Sequence, residues 1–483
     1  MNVLLSLLQK STDYNQLLKA VEAKQAVAVS GLSQAPRSHV LAAAHEQSGR
    51  PLIAVCQDDM AAKRLASELG AFLGEEPPVL PSRELTLAGA IGVSRQWEQQ
   101  RLRLLYALAQ GRVPVLVASL DALLLRTLPR QTLFSASVTL RVGAEYSMPE
   151  LIERLTRAGY SRASLVEGVG QFALRGGILD VYSPAQEKPL RAEFFGDELD
   201  TMGYFDPITQ RRTENVDEAV LLPVAETEPH LHPQGISGLC EDLRAIIARQ
   251  QRRKTPNQAL IETLQKDCEA LENETLFASA DRYMALIYPE FTTAASYLPQ
   301  EAIVAFCDHG NLQRGEKDRA EEFGLLLDSF LTSGTLFGEL CDYYATMDDL
   351  AASLRGRAVI YCDSFLAARY PESLPPKQLL SFTARQLPGY GGSLETAAAD
   401  LKNYASNQYG SIVLCGGQRR GEILKELLAK SGLNALLSFP LTKLPQPGQI
   451  LIAGGSLPAG IEYPTLKFAI LTEGHSTVNS AEH

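Results

Sequence analysis

Residues 31–38 (GLSQAPRS) come closest, within this 483-residue chain, to the chemistry of a nucleotide-binding loop. They follow the apolar run AVAVS at 26–30 and precede a stretch with helical spacing, which is where a phosphate-binding loop belongs. In the pattern G-x-x-x-x-G-K-[ST], Gly31 and Ser38 match, whereas Pro36 replaces the second glycine and Arg37 replaces the lysine. The segment is therefore predicted to be a degenerate phosphate loop.

Both departures weaken nucleotide chemistry. A loop that cradles phosphates donates backbone N–H groups, and Pro36 has none and holds its φ near −65°. Arg37 is planar and bulkier than the compact ammonium of a lysine. The Asp-Glu pairs that could supply a magnesium partner, at 197–198 and 217–218, do not follow the strands of this region. We predict a non-functional loop within an ordinary strand-to-helix turn that starts its helix near Ser38.

The remaining reactive residues form no catalytic or metal-binding pattern. The seven histidines lack H-E-x-x-H spacing, and the sequence contains no G-x-S-x-G. The seven cysteines are scattered, and four of them close apolar runs, which indicates reduced thiols in the core. We therefore predict no catalytic residue, no metal and no cofactor, and we expect that this chain is not an enzyme. The four cysteines are Cys56, Cys307, Cys362 and Cys415.

The elements around this loop alternate between helix and strand. Apolar runs at 26–30, 51–56 and 114–119 are separated by stretches with helical spacing, which is typical of a parallel α/β sheet. Between residues 130 and 226 short apolar runs follow one another without helices between them, which predicts an inserted α+β unit with antiparallel strands. The α/β pattern then returns, and a further α/β unit starts near residue 380.

The predicted organisation has six parts. Residues 1–129 and 227–350 form a degenerate RecA-like domain, the inserted unit spans 130–226, and 351–379 connect it to a separate α/β domain at 380–475. The polar segment 476–483 is expected to be a disordered or artificial tail.

The most informative stretch begins at Phe172 and reads FALRGGILDVYSPAQEKPLRAEFFGDELDTMGYFDPITQRR. It contains RGG, two apolar residues and an aspartate, then R-x-E-F-F-G-D-E, then F-D-x-x-T-Q. In this order the motifs resemble domain 2 of the Mfd transcription-repair coupling factors and of the excinuclease subunit UvrB. Residues 80–87 resemble the first domain of that family, and residues 382–404 resemble the start of domain 3 of Mfd. The resemblance extends over nearly the whole chain.

The resemblance implies a protein-binding function. Domain 2 of the family binds UvrA, and the nucleotide fold around it is decayed in Mfd. The strand period of two independently places Arg191, Glu193 and Phe195 on one face of their strand and Phe194 on the other. The UvrA-binding positions that the resemblance implies are Arg175, Arg191 and Phe195, with Glu193, Phe194 and Asp197 as neighbours.

The same resemblance implies that this chain is a fragment, because the parts of Mfd that bind RNA polymerase and drive translocation on DNA are expected outside it. Other domains of the full-length protein are further expected partners, since they could mask the UvrA-binding face. An active UvrB-like ATPase that binds damaged DNA is the alternative. The formal net charge of −11 opposes strong DNA binding, and the absence of a long apolar run predicts a cytoplasmic protein without membrane contact.

Overall fold

The computed structural model describes residues 2–89, 96–274, 277–367 and 369–474. The tail expected at 476–483 lies outside these residues.

The first part of the chain alternates helices and strands. In chain order its elements are α1 (Asn2–Ser6), a 3₁₀ turn (Leu7–Lys10), α2 (Thr12–Glu22), β1 (Ala26–Ser30), α3 (Gln34–Ser48), β2 (Leu52–Cys56), α4 (Asp59–Leu73), β3 (Val79–Leu80), α5 (Gln96–Ala109), β4 (Val115–Ser119), α6 (Leu120–Leu124) and β5 (Arg126–Thr127).

The second part is dominated by short strands. Its elements are α7 (Arg130–Ala136), β6 (Val138–Arg141), α8 (Met148–Arg157), β7 (Ser161–Arg162), β8 (Gln171–Arg175), β9 (Ile178–Val181), β10 (Leu190–Phe195), β11 (Glu198–Phe205), β12 (Arg212–Asn215) and β13 (Glu218–Leu221).

The third part returns to helices and parallel strands. Its elements are a 3₁₀ turn (Pro229–Leu231), α9 (Gly235–Gln251), α10 (Gln258–Glu272), a 3₁₀ turn (Ala280–Tyr283), α11 (Met284–Ile287), β14 (Thr292–Thr293), a 3₁₀ turn (Ala294–Tyr297), β15 (Ile303–Cys307), α12 (His309–Thr332), a 3₁₀ turn (Gly338–Leu340), α13 (Met347–Ser353), β16 (Ala358–Cys362) and β17 (Gln378–Ser381).

The last part has its own sheet. Its elements are β18 (Arg385–Leu387), α14 (Leu394–Ser406), β19 (Gly410–Cys415), α15 (Gln418–Lys430), β20 (Ala435–Leu437), β21 (Ile450–Gly454), β22 (Gly460–Tyr463) and β23 (Phe468–Thr472).

Seven strands from the first and third parts form one sheet in the order β17-β1-β16-β15-β2-β4-β3, and every pairing in it is parallel. The strands are apolar throughout because both faces are covered: Ala26 and Ala28 of β1 face one core, and Val27 and Val29 face the other. The four cysteines predicted to be core thiols are buried, as expected. The predicted α/β fold class is confirmed.

Helix α3 begins at Gln34, earlier than the predicted start near Ser38. Pro36 lies inside the helix rather than in the loop before it. It is the third residue of the helix, where the backbone N–H has no partner inside the helix and its loss costs little.

The inserted part forms a six-stranded sheet, β12-β11-β10-β9-β8-β7, with its own core beneath helix α8. Leu133 of α7 still packs in the core of the large sheet, so the chain enters the inserted unit after that helix, later than residue 130. The chain leaves the inserted unit at Glu226, which anchors it to the large sheet's part of the protein. The carboxylate of Glu226 accepts hydrogen bonds at 3.0 Å from the buried guanidinium of Arg101. Burial alone would raise the pKa of Glu226, but Arg101 and Arg83 lower it to about 2.

The connecting segment predicted at 351–379 contains more structure than a linker. Strand β16 lies between β1 and β15 inside the large sheet, and β17 forms its edge. The last part packs against the first, since Ile412, Ile461 and Tyr463 share a core with α1 and α3. Among the described residues, no helix has the length and apolar character needed to cross a membrane.

Candidate functional site

Neighbouring backbone faces the loop after β1. Gly31 has φ +82°, and a Cβ placed on it would lie 1.9 Å from the carbonyl oxygen of Phe382. The amides of Gly31 and Leu32 donate to the carbonyl oxygens of Ser364 and Asp363, at 3.0 and 3.3 Å. The backbone donors at the start of this loop are therefore engaged within the protein.

The start of α3 is engaged as well. The amide of Ala35 donates to the side-chain oxygen of Gln386 at 2.9 Å, so the last unit supplies the acceptor at this helix end. Arg37 forms an ion pair with Asp308 at 3.0 Å, and the hydroxyl of Ser38 donates to Glu68 at 2.9 Å. The side chains at the lysine and serine positions of the pattern therefore make structural contacts.

A cavity of about 210 Å³ lies beside Arg37. It is lined in part by Cys56, Cys307 and Asp308, at the ends of adjacent strands. Pockets that bind drug-sized ligands usually measure roughly 300 to 1,000 Å³. This space is therefore small for a nucleotide.

Among the described residues, Cys240, Cys268 and Glu272 place their ligand atoms within 4.8 Å of one another. The guanidinium of Arg244 contacts the carboxylate of Glu272, which satisfies that charge with a cation already present. The arrangement is a helix-pair contact between α9 and α10 that contains two buried thiols.

The outer face of the inserted sheet is built around a buried carboxylate that the sequence analysis did not single out. Asp180 of β9 is 1% exposed and lies opposite Arg191 of β10. Arg191 donates to both oxygens of Asp180, at 2.8 and 2.9 Å, and its guanidinium lies 4.3 Å from the ring centre of Phe205. The hydrogen bond to Asp180 raises the pKa of Arg191.

Arg191 also donates to the backbone and side-chain oxygens of Gln210, at 3.2 and 3.0 Å. Its side chain is only 16% exposed. The structure thus places this predicted contact residue in an internal network that joins β9, β10 and the loop before β12.

Arg175 and Phe195 have a different environment. They lie at the same end of the sheet, where the turn at Gly176–Gly177 meets β10: the amide of Phe194 donates to the carbonyl oxygen of Gly177 at 2.8 Å. Arg175 reaches Asp180 at 3.4 Å but remains 54% exposed, and Phe195 is 84% exposed. These two side chains are available to a partner.

The other three predicted positions also differ from one another in exposure and in contacts. Glu193 is partly exposed, accepts a hydrogen bond from Thr201 at 2.8 Å and lies 3.5 Å from Arg212. Phe194 points to the other face, where its ring meets Tyr146 edge-on and packs against the core of the unit. Asp197 is exposed in the turn between β10 and β11.

Two further residues of this face were not among the predicted UvrA-binding positions, although the first is the aspartate of the RGG motif. Asp180 is the charged residue inside the apolar run ILDV, and that isolated charge was a usable signal for a buried ion pair. Ile208 is 91% exposed in the loop between β11 and β12, and nothing in its neighbourhood of Pro207 and Thr209 distinguishes it from an ordinary loop residue.

Residues 138–226, which carry this face, match the family model of the UvrB interaction domain. The matched range contains the whole six-stranded sheet and all six predicted UvrA-binding positions.

Over longer stretches the chain is similar to transcription-repair-coupling factors. It is 23% identical over 474 residues, 96% of the chain, to that of Bacillus subtilis (strain 168). It is 26% identical over 478 residues, 97% of the chain, to that of Staphylococcus aureus (strain USA300). The chain spans about 40% of the length of these curated relatives. The resemblance predicted from the motifs is confirmed.

Proposed function

We propose that this chain is a non-catalytic module that binds UvrA through the exposed end of the inserted sheet. The observation that carries the proposal is the 84% exposure of Phe195 at the same end of the sheet as the exposed Arg175, within the region that matches a UvrB interaction domain. Aromatic side chains and arginines supply a large share of binding energy in protein interfaces. The ordered ends of β8 and β10 present these two side chains at a low cost in conformational entropy.

The non-catalytic part of the proposal rests on the loop at residues 31–38. Phosphate binding would need the amides and the cation of this loop, which have internal acceptors at Ser364, Asp363, Gln386 and Asp308. A nucleotide would therefore have to displace the segment around Phe382 as well as these contacts. Translocation on DNA and binding to RNA polymerase are assigned, under this proposal, to parts of the full-length protein outside this chain.

The test is the affinity of purified UvrA for the chain and for Phe195→Ala, measured by calorimetry. Loss of an aromatic anchor that becomes buried only in the complex should weaken that complex about thirtyfold, or about 2 kcal/mol. Because Phe195 contributes little to the core, the melting temperature should stay unchanged.

Leu325→Ala is the matched control, since Leu325 is a 73% exposed apolar side chain on α12 in the other unit. It should leave the affinity unchanged. Wild-type binding that Phe195→Ala does not alter would show that the interface lies elsewhere, and a wild-type chain that does not bind UvrA would refute the proposal. ATP hydrolysis by the wild-type chain would favour the UvrB-like ATPase instead.

A further inference from the structure

Ile208 lies at the tip of a loop that the structure holds firmly. The carboxylate of Asp206 accepts hydrogen bonds from the amides of Ile208 and Thr209, at 2.8 and 3.0 Å. Gln210 closes the loop through its amide, which donates to the carbonyl oxygen of Asp206 at 2.7 Å, and through its side chain, which donates to Pro207. An apolar side chain that is 91% exposed is thus presented on an ordered turn.

The same loop is fixed to the centre of the sheet by Arg191. Its two terminal nitrogens donate to the backbone and side-chain oxygens of Gln210, while Nε and one of these terminal nitrogens donate to Asp180. Gln210 has φ +60°, a left-handed conformation that a non-glycine residue adopts only when its surroundings enforce it. The two hydrogen bonds from Arg191 are among the contacts that hold Gln210 in this conformation.

We infer that Ile208 is a second apolar anchor for the same protein partner, and that Arg191 is a positioning residue that holds Ile208 in place. The inference rests on the proposed function, because the partner is the UvrA that Phe195 is proposed to bind. The recognition surface then extends along the whole of β10 and is not confined to the end of the strand that carries Phe195.

The geometry fits one interface. Phe195 ends β10, and the loop carrying Ile208 adjoins its other end, where the amide of Phe205 donates to Pro189. Five residue steps along a strand span about 17 Å. A standard interface covers about 800 Å² on each partner, so it is wide enough to include both side chains. Arg191 lies between the anchors and tethers the second one.

The experiment measures the affinity of UvrA for the complete chain and for Ile208→Ala, Gln210→Gly and the double variant. Ile208→Ala should weaken binding about tenfold without changing the melting temperature. Gln210→Gly removes the side-chain bonds to Arg191 and Pro207 but tolerates the left-handed conformation, so the loop loosens without strain. It should weaken binding about threefold to tenfold.

The double variant separates positioning from a general structural effect. If Gln210 and Arg191 act by holding Ile208, the double variant should bind no more weakly than Ile208→Ala, so that the effects are not additive. Additive losses would overturn the positioning role, and an unchanged affinity of Ile208→Ala would overturn the second anchor. In the latter case a weakened Phe195→Ala would leave the proposed function standing, whereas a wild-type chain that fails to bind would defeat both.

Discussion

The loop at residues 31–38 and the outer face of β10 both carry residue types associated with binding, but they use them in opposite ways. In the loop, Arg37 and Ser38 are buried and bonded to Asp308 and Glu68. On the sheet, Arg175 and Phe195 are exposed beside an arginine that is internally bonded. The loop resembles a ligand site in sequence, but its side chains bond within the protein. The sheet instead exposes side chains that a partner could contact.

The comparison shows that a motif position indicates function only together with the partners that its side chain already has. Arg37 and Arg191 both occupy motif positions, and both already have a carboxylate partner inside the protein. Arg175 shares the acceptor Asp180 with Arg191 and is nevertheless mostly exposed. The three arginines therefore predict three different responses to substitution.

The largest effect is expected for Arg191→Ala. It leaves the buried carboxylate of Asp180 with only the longer contact to Arg175, and removing one partner of a buried ion pair typically costs roughly 3 to 5 kcal/mol. We expect a loss of about 3 kcal/mol in the stability of the inserted unit, measured by urea unfolding.

Arg175→Ala is the matched control for that substitution, because it removes the other arginine on the same carboxylate. Its exposure limits the loss of stability to less than about 1 kcal/mol. Equal losses for the two variants would contradict the distinction between a positioning arginine and an available one.

A smaller effect concerns the contact between α3 and the last unit. His39 is fully buried, and its ring nitrogens lie 2.7 Å from the hydroxyl of Tyr463 and from the carbonyl oxygen of Leu4. Burial lowers the pKa of His39 to about 4, whereas an unfolded histidine has a pKa near 6.5. The unfolded chain therefore binds the extra proton first, and stability falls as the pH drops from 6.5 towards 4.

Between pH 7.5 and 5.5 this histidine should account for a loss of about 1.4 kcal/mol, which covers the one pH unit below 6.5. The measurement compares urea unfolding of the wild type and His39→Gln at both values. His309, whose pKa burial also lowers to about 4, titrates in both proteins and serves as the internal control. The same pH dependence in the wild type and in His39→Gln would show that His39 does not carry this effect.

Many of the strands could be predicted because each one appears in the sequence as a short run of apolar residues. The runs that became β1, β2, β4, β15 and β16 are buried on both faces, so they read as continuous apolar segments. The pairing of β16 between β1 and β15 could not be read in this way, because the order of strands depends on contacts between distant parts of the chain. The segment at 351–379 was therefore predicted as a connection rather than as part of the large sheet.

For the candidate site, the sequence predicted which face of β10 each side chain lies on but not what each side chain contacts. Alternation along β10 places Phe194 inward and Phe195 outward, and the structure has this arrangement. Alternation does not show that Arg191 on the outer face bends towards Asp180 and Gln210. That depends on the neighbouring strand and on a left-handed residue in a loop, neither of which a single strand encodes.

The smallest effect, on ATP binding, is expected for a variant in which the loop at residues 31–38 again matches the phosphate-loop pattern. Pro36→Gly together with Arg37→Lys restores the residue types of the pattern, but the carbonyl of Phe382 still faces Gly31 and Gln386 still accepts from Ala35. Calorimetry should therefore detect no binding of ATP with magnesium at about 1 mM, as for the wild type. Adding Gln386→Ala frees the Ala35 amide and should still give no binding, because Phe382 remains. Micromolar affinity for ATP in the double variant would mean that Pro36 and Arg37 alone prevent nucleotide binding. It would also mean that a nucleotide can displace the segment around Phe382.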